Sequence, residues 1–373
     1  MPDDVIKKIF TVNLGVKRKE KVLVFTDTIR PDEKIDKDEK TKRLKLRDIA
    51  SRAAALGKDI ADVTYIEYPS VKGHGQEPPV ELWETAFGRI TVTNLKASGL
   101  LDRVLSKTAS QSDLLAAERI IKEHADSPNA VVALSNYSTS HTRFRDYLTR
   151  CMNARYASMP LFEESMLTGA MTADWGKVRD RTERLVSMFA GADMVYITSH
   201  NGTSIGFSVK DRKLLPDTGI LTELGAFGNL PAGEAFLAPV EGTAQGILIL
   251  EWAPTRKLTE PIELVVKDGL VCQVYGADPF AVELREALRT KPLLGNIAEL
   301  GIGTNDRASR PDNILETEKI LGTVHIALGD NSSFGGKVSV PFHQDFIFFK
   351  PTLKVVKGEE KIEVIVDGVP RFC

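Results

Sequence analysis

The segment TVHIALGDNSSFGGKVSVPFHQDF, residues 323–346, holds His325, Asp330, His343 and Asp345. His343 and Asp345 form an H-x-D pair in an otherwise apolar, strand-like run, and residues i and i+2 of a strand share a face. Imidazole and carboxylate therefore project together, with Phe342, Gln344 and Phe346 on the other side. A carboxylate buried without a partner costs several kcal/mol, so donors or a cation must stand beside it. Three upstream segments offer similar side chains: GNLPAGEAFLAPVEG (228–242) presents Glu234, NIAELGIGTN (296–305) presents Glu299, and ETEKILGTVHIALG (316–329) carries Glu318 and His325. A divalent ion is the economical partner for two imidazoles and several carboxylates, and mixed N/O donors suit Zn, Co, Mn or Fe(II).

Taken singly, each residue has an ordinary reading. The H-x-D pair can be a plain hydrogen bond, Glu299 an edge-strand charge, and Glu318, followed by Lys319, part of a solvated face. Their clustering between positions 234 and 345, each at a strand edge or in a Gly/Pro loop, points instead to metal.

The elements that must position these residues fall into two textures. In the first half, strand-like KVLVFTD (21–27), DVTYIEYPS (62–70), NAVVALSNY (129–137) and DMVYITS (193–199) alternate with helix-like KLRDIASRAAALG (45–57), SDLLAAERIIKEHA (112–125), HTRFRDYLTRCMN and KVRDRTERLVSMFAGA. That alternation predicts an α/β domain with a mostly parallel sheet. The first strand runs into TDTIRPDEK, not a glycine-rich turn, so no dinucleotide cradle is expected there. After about residue 200, TSIGFSVK, GILILEW, IELVVKDGLVCQVYG and KIEVIVDGV follow one another as strands. Asp268-Gly269 marks a hairpin between two of them, and DPFAVELREALRT (278–290) is the one clear helix. The expected organisation is an N-terminal α/β domain over 1–198 and an α+β metal-binding domain rich in antiparallel strand over 199–373.

Composition narrows the partners. A net charge of −2 over 373 residues offers no global attraction to nucleic acid or to an anionic membrane. Cys151, Cys272 and Cys373 lack metal-ligand spacing, and their odd number argues against a secreted disulfide framework. MPDDVIKKIF begins with acids where a secretory leader needs basic residues, and no run is apolar enough to span a bilayer. The expected setting is cytoplasmic, with a peptide or small-molecule substrate and neither nucleic acid nor membrane as partner.

FGNLPAGEAFLAPVEGTAQG, AELGIGTN, EKILGTVHIALGDNSSFGGK and HQD, together with NGTSIGFSVKDRK (201–213), resemble the signature segments of the aminopeptidase T/aminopeptidase S family of metallopeptidases. The resemblance runs from about residue 195 to 350. It implies a C-terminal domain holding two divalent ions (Zn, Co, Mn or Mg), removal of N-terminal residues from peptides, and a homodimer. By motif, Glu234, Glu299, His325, His343 and Asp345 would be ligands, with Glu299 bridging the ions and Glu318 acting as general base on a shared water. One departure stands out: the family's active-site tyrosine, in NSY, falls here at Ser332, leaving Asn331, Ser332 and Lys337 as candidate substitutes.

Two other readings compete. The same fold family resembles a ring-cleaving dioxygenase of hydroxypyridine catabolism, which holds one Fe(II) on two histidines and an aspartate; His325, His343 and Asp345 are the matching set. Retention of Glu234, Glu299 and Glu318 counts against it, since a mononuclear site does not need them. The last reading is a metal-binding protein without peptidase activity. The aminopeptidase is the leading expectation.

Overall fold

The run KVLVFTDT forms strand β1 (Lys21–Thr28), whose six central residues are buried. Such unbroken burial is what a parallel strand covered on both faces requires. In this computed structural model, which describes residues 2–373, β1 pairs in parallel with β2 (Asp62–Pro69) and with β3 (Ala130–Ala133). β3 continues in parallel to β4 (Arg155–Ser158), and β4 to the returning strand Phe227–Asn229. Helix Lys37–Gly57 starts where the Asp36 carboxylate accepts the Glu39 N–H at 2.8 Å. Helix Gln111–His124 is opened by a reciprocal Ser110/Asp113 capping box, its capping residue two positions before the Ser112 that the sequence suggests. Phe25 anchors the core, its ring 5.9 Å from Tyr68 and 6.2 Å from Phe144.

This parallel-sheet unit comprises Met1–Thr172 and Gly219–Pro231; the second comprises Ala173–Thr218 and Ala232–Cys373. The sequence-based division lies at 198/199. Helix Trp175–Phe189, grouped by texture with the N-terminal half, sends Leu185 and Phe189 into the second unit's core.

The second unit holds two antiparallel sheets. One has eight strands, with the hairpin Arg256–Lys267/Leu270–Tyr275 at one edge. Asp268 and Gly269 both have positive φ (50° and 79°), as the expected tight turn demands. The other sheet runs in the order His343–Phe348, Val324–Gly329, Ile297–Gly303, Glu234–Leu237, Leu215–Asp217. Leu237, Leu300, Ile302, Val324 and Ile326 of this sheet join Leu248, Leu250, Ile262 and Leu264 of the larger one in a single hydrophobic core. The fold class expected from sequence holds for both regions. Among the described residues no helix is long and apolar enough to cross a membrane.

Candidate metal centre

The five-stranded sheet explains why residues scattered over the sequence meet. Its register sets Glu234 opposite Gly303, His325 opposite Gly301, and Glu299 opposite Ala327, which in turn opposes Asp345. His343 opposes Gly329. Opposed residues share a face, and along each strand that face recurs every second position. One face of the sheet therefore carries Glu234, Glu299, His325, His343 and Asp345 among small residues. A register shift between Ile297 and Glu299 bends the Glu299 strand at its entry. Gly301 is required by contact: a β-carbon there would lie 1.9 Å from His325 Nε2.

The side chains converge as two trios sharing Glu299. His325 Nε2 lies 3.3 Å from Glu234 Oε2 and 3.5 Å from Glu299 Oε1. His343 Nε2 lies 3.4 Å from Glu299 Oε2 and 3.7 Å from Asp345 Oδ2. Within each trio the candidate ligand atoms all fall within 4.8 Å of one another. The two imidazoles belong to different trios, so His325, His343 and Asp345 do not form one of these compact groups.

Whether the cluster fits a cation can be judged from its unmet bonds. Glu234 Oε2, both ring nitrogens of His325 and Asp345 Oδ1 are buried without a hydrogen-bond partner. Three of these atoms belong to the trio of Glu234, Glu299 and His325 and one to the trio of Glu299, His343 and Asp345, and a cation in either trio would satisfy carboxylate and imidazole together. The donor set fits.

Electrostatics in the metal-free protein agree. Burial drives the Glu234 carboxyl up to about 8, against the opposing pull of Lys319. Burial likewise raises Glu318, with Lys319 opposing. For Glu299 burial acts upward too, yet the neighbouring His325 and His343 outweigh it and hold the group below its usual range. Burial alone would depress both histidines; the surrounding carboxylates instead lift His325 to about 9 and His343 further.

Four features escape a reading of the sequence alone. Lys319 is fully buried, and its ammonium bonds Glu234 and, at 2.8 Å, Glu318. Glu318 is thus no solvated residue; it stands beside the cluster, close enough to act on Asp345. The signal was available in the excess of acids over imidazoles, which asks for a fixed positive charge. The second feature is Gly301, already described. Third, the Asp330 carbonyl lies 2.8 Å from His343 Nδ1, which leaves Nε2 free for a metal. Fourth, Phe334 stands edge-on to His343, with ring centroids 5.9 Å apart. Ser332 spends its side chain on Asp330 of the same loop and Asn331 on Glu241 of another, and the Lys337 side chain is exposed, so none of the three replaces the missing tyrosine.

A cavity of about 50 Å³ opens beside the cluster, lined by Trp252, Pro254, Pro311, Glu318, His343 and Asp345 among others. Of the five candidate ligands His343 and Asp345 are in this lining, while Glu234, Glu299 and His325 lie outside it, so the second trio reaches the cavity through two of its members.

Sheet and cluster together define a group able to bind a metal ion beside a small open cavity. Residues 163–363, more than half of the chain and including the whole cluster, match the family described as NicX, 2,5-dihydroxypyridine 5,6-dioxygenase; the chain belongs to that family. Among solved structures it is similar to 2,5-dihydroxypyridine dioxygenase from Pseudomonas putida KT2440, with a TM-score of 0.67 at 17% identity over 99% of this chain and 97% of that one. It is also similar to wild-type AmpT from Thermus thermophilus, with a TM-score of 0.59 at 13% identity over 99% and 98% of the two chains. At these identities both likenesses show a shared fold. No curated protein sequence matches the chain.

These findings correct the leading expectation. The family match favours the ring-cleaving dioxygenase, which stood second, over the aminopeptidase. Peptide hydrolysis falls with it, and so does Glu318 as a peptidase base. The kinship to the aminopeptidase family is one of fold. PAGEAF, AELGIG and TVHIALG are the strands and turns of the metal-bearing sheet, so they report the scaffold and leave the reaction open. What stands of the two-ion expectation is a group able to bind metal.

Proposed function

We propose that this protein is a dioxygenase that opens a hydroxylated pyridine ring with molecular oxygen, using one Fe(II). The observation that carries the proposal is the family match spanning the whole acid–imidazole cluster. Glu299, His343 and Asp345 would hold the iron, because theirs is the trio whose histidine and aspartate line the cavity. When bound, the iron supplies the one-electron chemistry that lets O₂ react with a closed-shell ring.

The chain's own groups prepare that chemistry. The Asp330 carbonyl fixes the His343 tautomer through Nδ1. His325, deeper in the sheet, lies between Glu234 and Glu299 and holds the Glu299 carboxylate from the side away from His343. Lys319 supplies the positive charge that allows Glu234 and Glu318 to be buried side by side. Glu318, at the cavity wall, is the group placed to take the proton from a ring hydroxyl as the substrate settles. Pro254, Pro311 and Phe346 narrow the space and limit water.

The test is oxygen consumption by protein loaded anaerobically with Fe(II) and given 2,5-dihydroxypyridine. Uptake of one O₂ per ring, with loss of the ring's ultraviolet absorbance, is the expected result. Absence of uptake with fully loaded protein refutes the proposal.

A further inference from the structure

Strand Gln245–Ala253 buries Leu248 and Leu250, both 1% exposed, so strict alternation would send residue 252 into the same core. Ala253 is buried instead, at 6% exposure, and Trp252 is only half-buried. The reason is a break in pairing with strand Arg256–Lys267 between Leu250 and Trp252. Such irregularities turn a side chain to the opposite face, and they recur beside active sites. Here the turn brings the indole to the wall of the cavity that also contains Glu318, His343 and Asp345. The ring packs on Phe349, with centroids 6.4 Å apart and planes tilted by 55°. The other two tryptophans, Trp83 and Trp175, are buried.

The rest of the lining completes a chemical signature. Pro254 and Pro311 add flat apolar surface, and the polar lining consists of Thr317, Glu318, His343, Gln344 and Asp345. No arginine or lysine is among the lining residues, and the carboxylates of Glu318 and Asp345 disfavour a carboxylate on the bound ring. A wide aromatic face beside an acidic floor suits a flat, uncharged ring, which stacks on the indole and turns its oxygens to the metal trio.

We propose that Trp252 is the specificity-determining residue of this cavity, its indole face being the platform for a single uncharged hydroxylated aromatic ring. The assignment rests on the ring-cleaving reading and deepens it. It names the residue that recognises the ring and the charge class that is refused. Stacking of a flat ring on an aromatic side chain is worth about tenfold or more in affinity.

Calorimetric titration of the Fe(II)-loaded chain under nitrogen provides the test, with iron content measured for each variant. The probes are 2,5-dihydroxypyridine and its carboxylated analogue in shape, 2,5-dihydroxybenzoate. Trp252→Phe keeps a ring face and binds the pyridine within about threefold of the parent. Trp252→Ala keeps its iron but binds the pyridine about tenfold or more weakly, and the parent binds the benzoate more weakly by a similar factor. Equal pyridine affinity in Trp252→Ala and the parent overturns the platform, as does failure of the parent to bind the pyridine at all. Equal affinity for the two probes overturns the charge selection. If the pyridine binds through Trp252 yet no O₂ is consumed in air, the platform stands and the dioxygenase reading falls. If O₂ is consumed and Trp252→Ala binds as the parent does, the reading stands and the platform falls.

Discussion

Gly301 and His325 face each other across adjacent strands, so closely that a β-carbon on Gly301 would sit 1.9 Å from the imidazole Nε2. The histidine occupies the space a side chain would otherwise fill. Gly301→Ala is therefore expected to push His325 away from Glu234 and Glu299, at a cost of about 1–3 kcal/mol from overpacking. Metal affinity should fall about tenfold or more as the sheet face is disturbed. Chemical denaturation and metal titration of the variant provide the check.

Lys319 is the fixed cation of the site. Lys319→Met leaves Glu234 and Glu318 buried without their shared partner, and breaking a buried pair in this way costs about 3–5 kcal/mol. The metal-free variant should unfold at clearly lower denaturant concentration than the parent. Adding Glu234→Gln should recover part of the loss. Equal stability of parent and Lys319→Met would show that the ammonium is not holding the two acids.

Protons and metal compete for the same atoms. In the metal-free protein His325 is lifted to about 9, above the ordinary 6.5, so both folded and unfolded states bind its proton below 6.5. The stability from the charged imidazole is fully present there and is lost as pH rises through about 9. His343, the imidazole assigned to the iron, is lifted as well, so bound metal replaces its proton and binding at neutral pH should release protons. Calorimetry in buffers of different ionisation enthalpy counts them; zero release would contradict the assignment of His343 as a ligand.

Glu241 ties down the loop that reaches His343. It accepts the Asn331 side-chain amide at 3.1 Å, the Lys337 N–H at 2.6 Å and the Arg212 guanidinium at 2.6 Å. The same loop delivers the Asp330 carbonyl to His343 Nδ1. Glu241→Gln keeps the shape and loses the charge, so the expected effect is about tenfold weaker metal binding with little change in fold. Metal titration alongside circular dichroism separates the two.

Sequence alone was enough for the architecture of both regions. Burial on both faces makes β1 read as an unbroken apolar run, and positive φ at Asp268-Gly269 leaves its mark in the residues themselves. It also singled out Glu234, Glu299, Glu318, His325, His343 and Asp345 as candidates, because acids and imidazoles in apolar strands need a reason to be there. What only the tertiary structure decided was the grouping. Strand register sets which ligand opposes which, and Glu299 joins both trios through pairings between segments far apart in the chain. Lys319 reads as a surface lysine until the acids on either side of it are seen to be buried, and Trp252 reads as core until its strand breaks register. The reaction was the least legible element, since the same sheet motifs serve any chemistry that starts from a metal on this scaffold, and the choice among chemistries lies in the cavity walls.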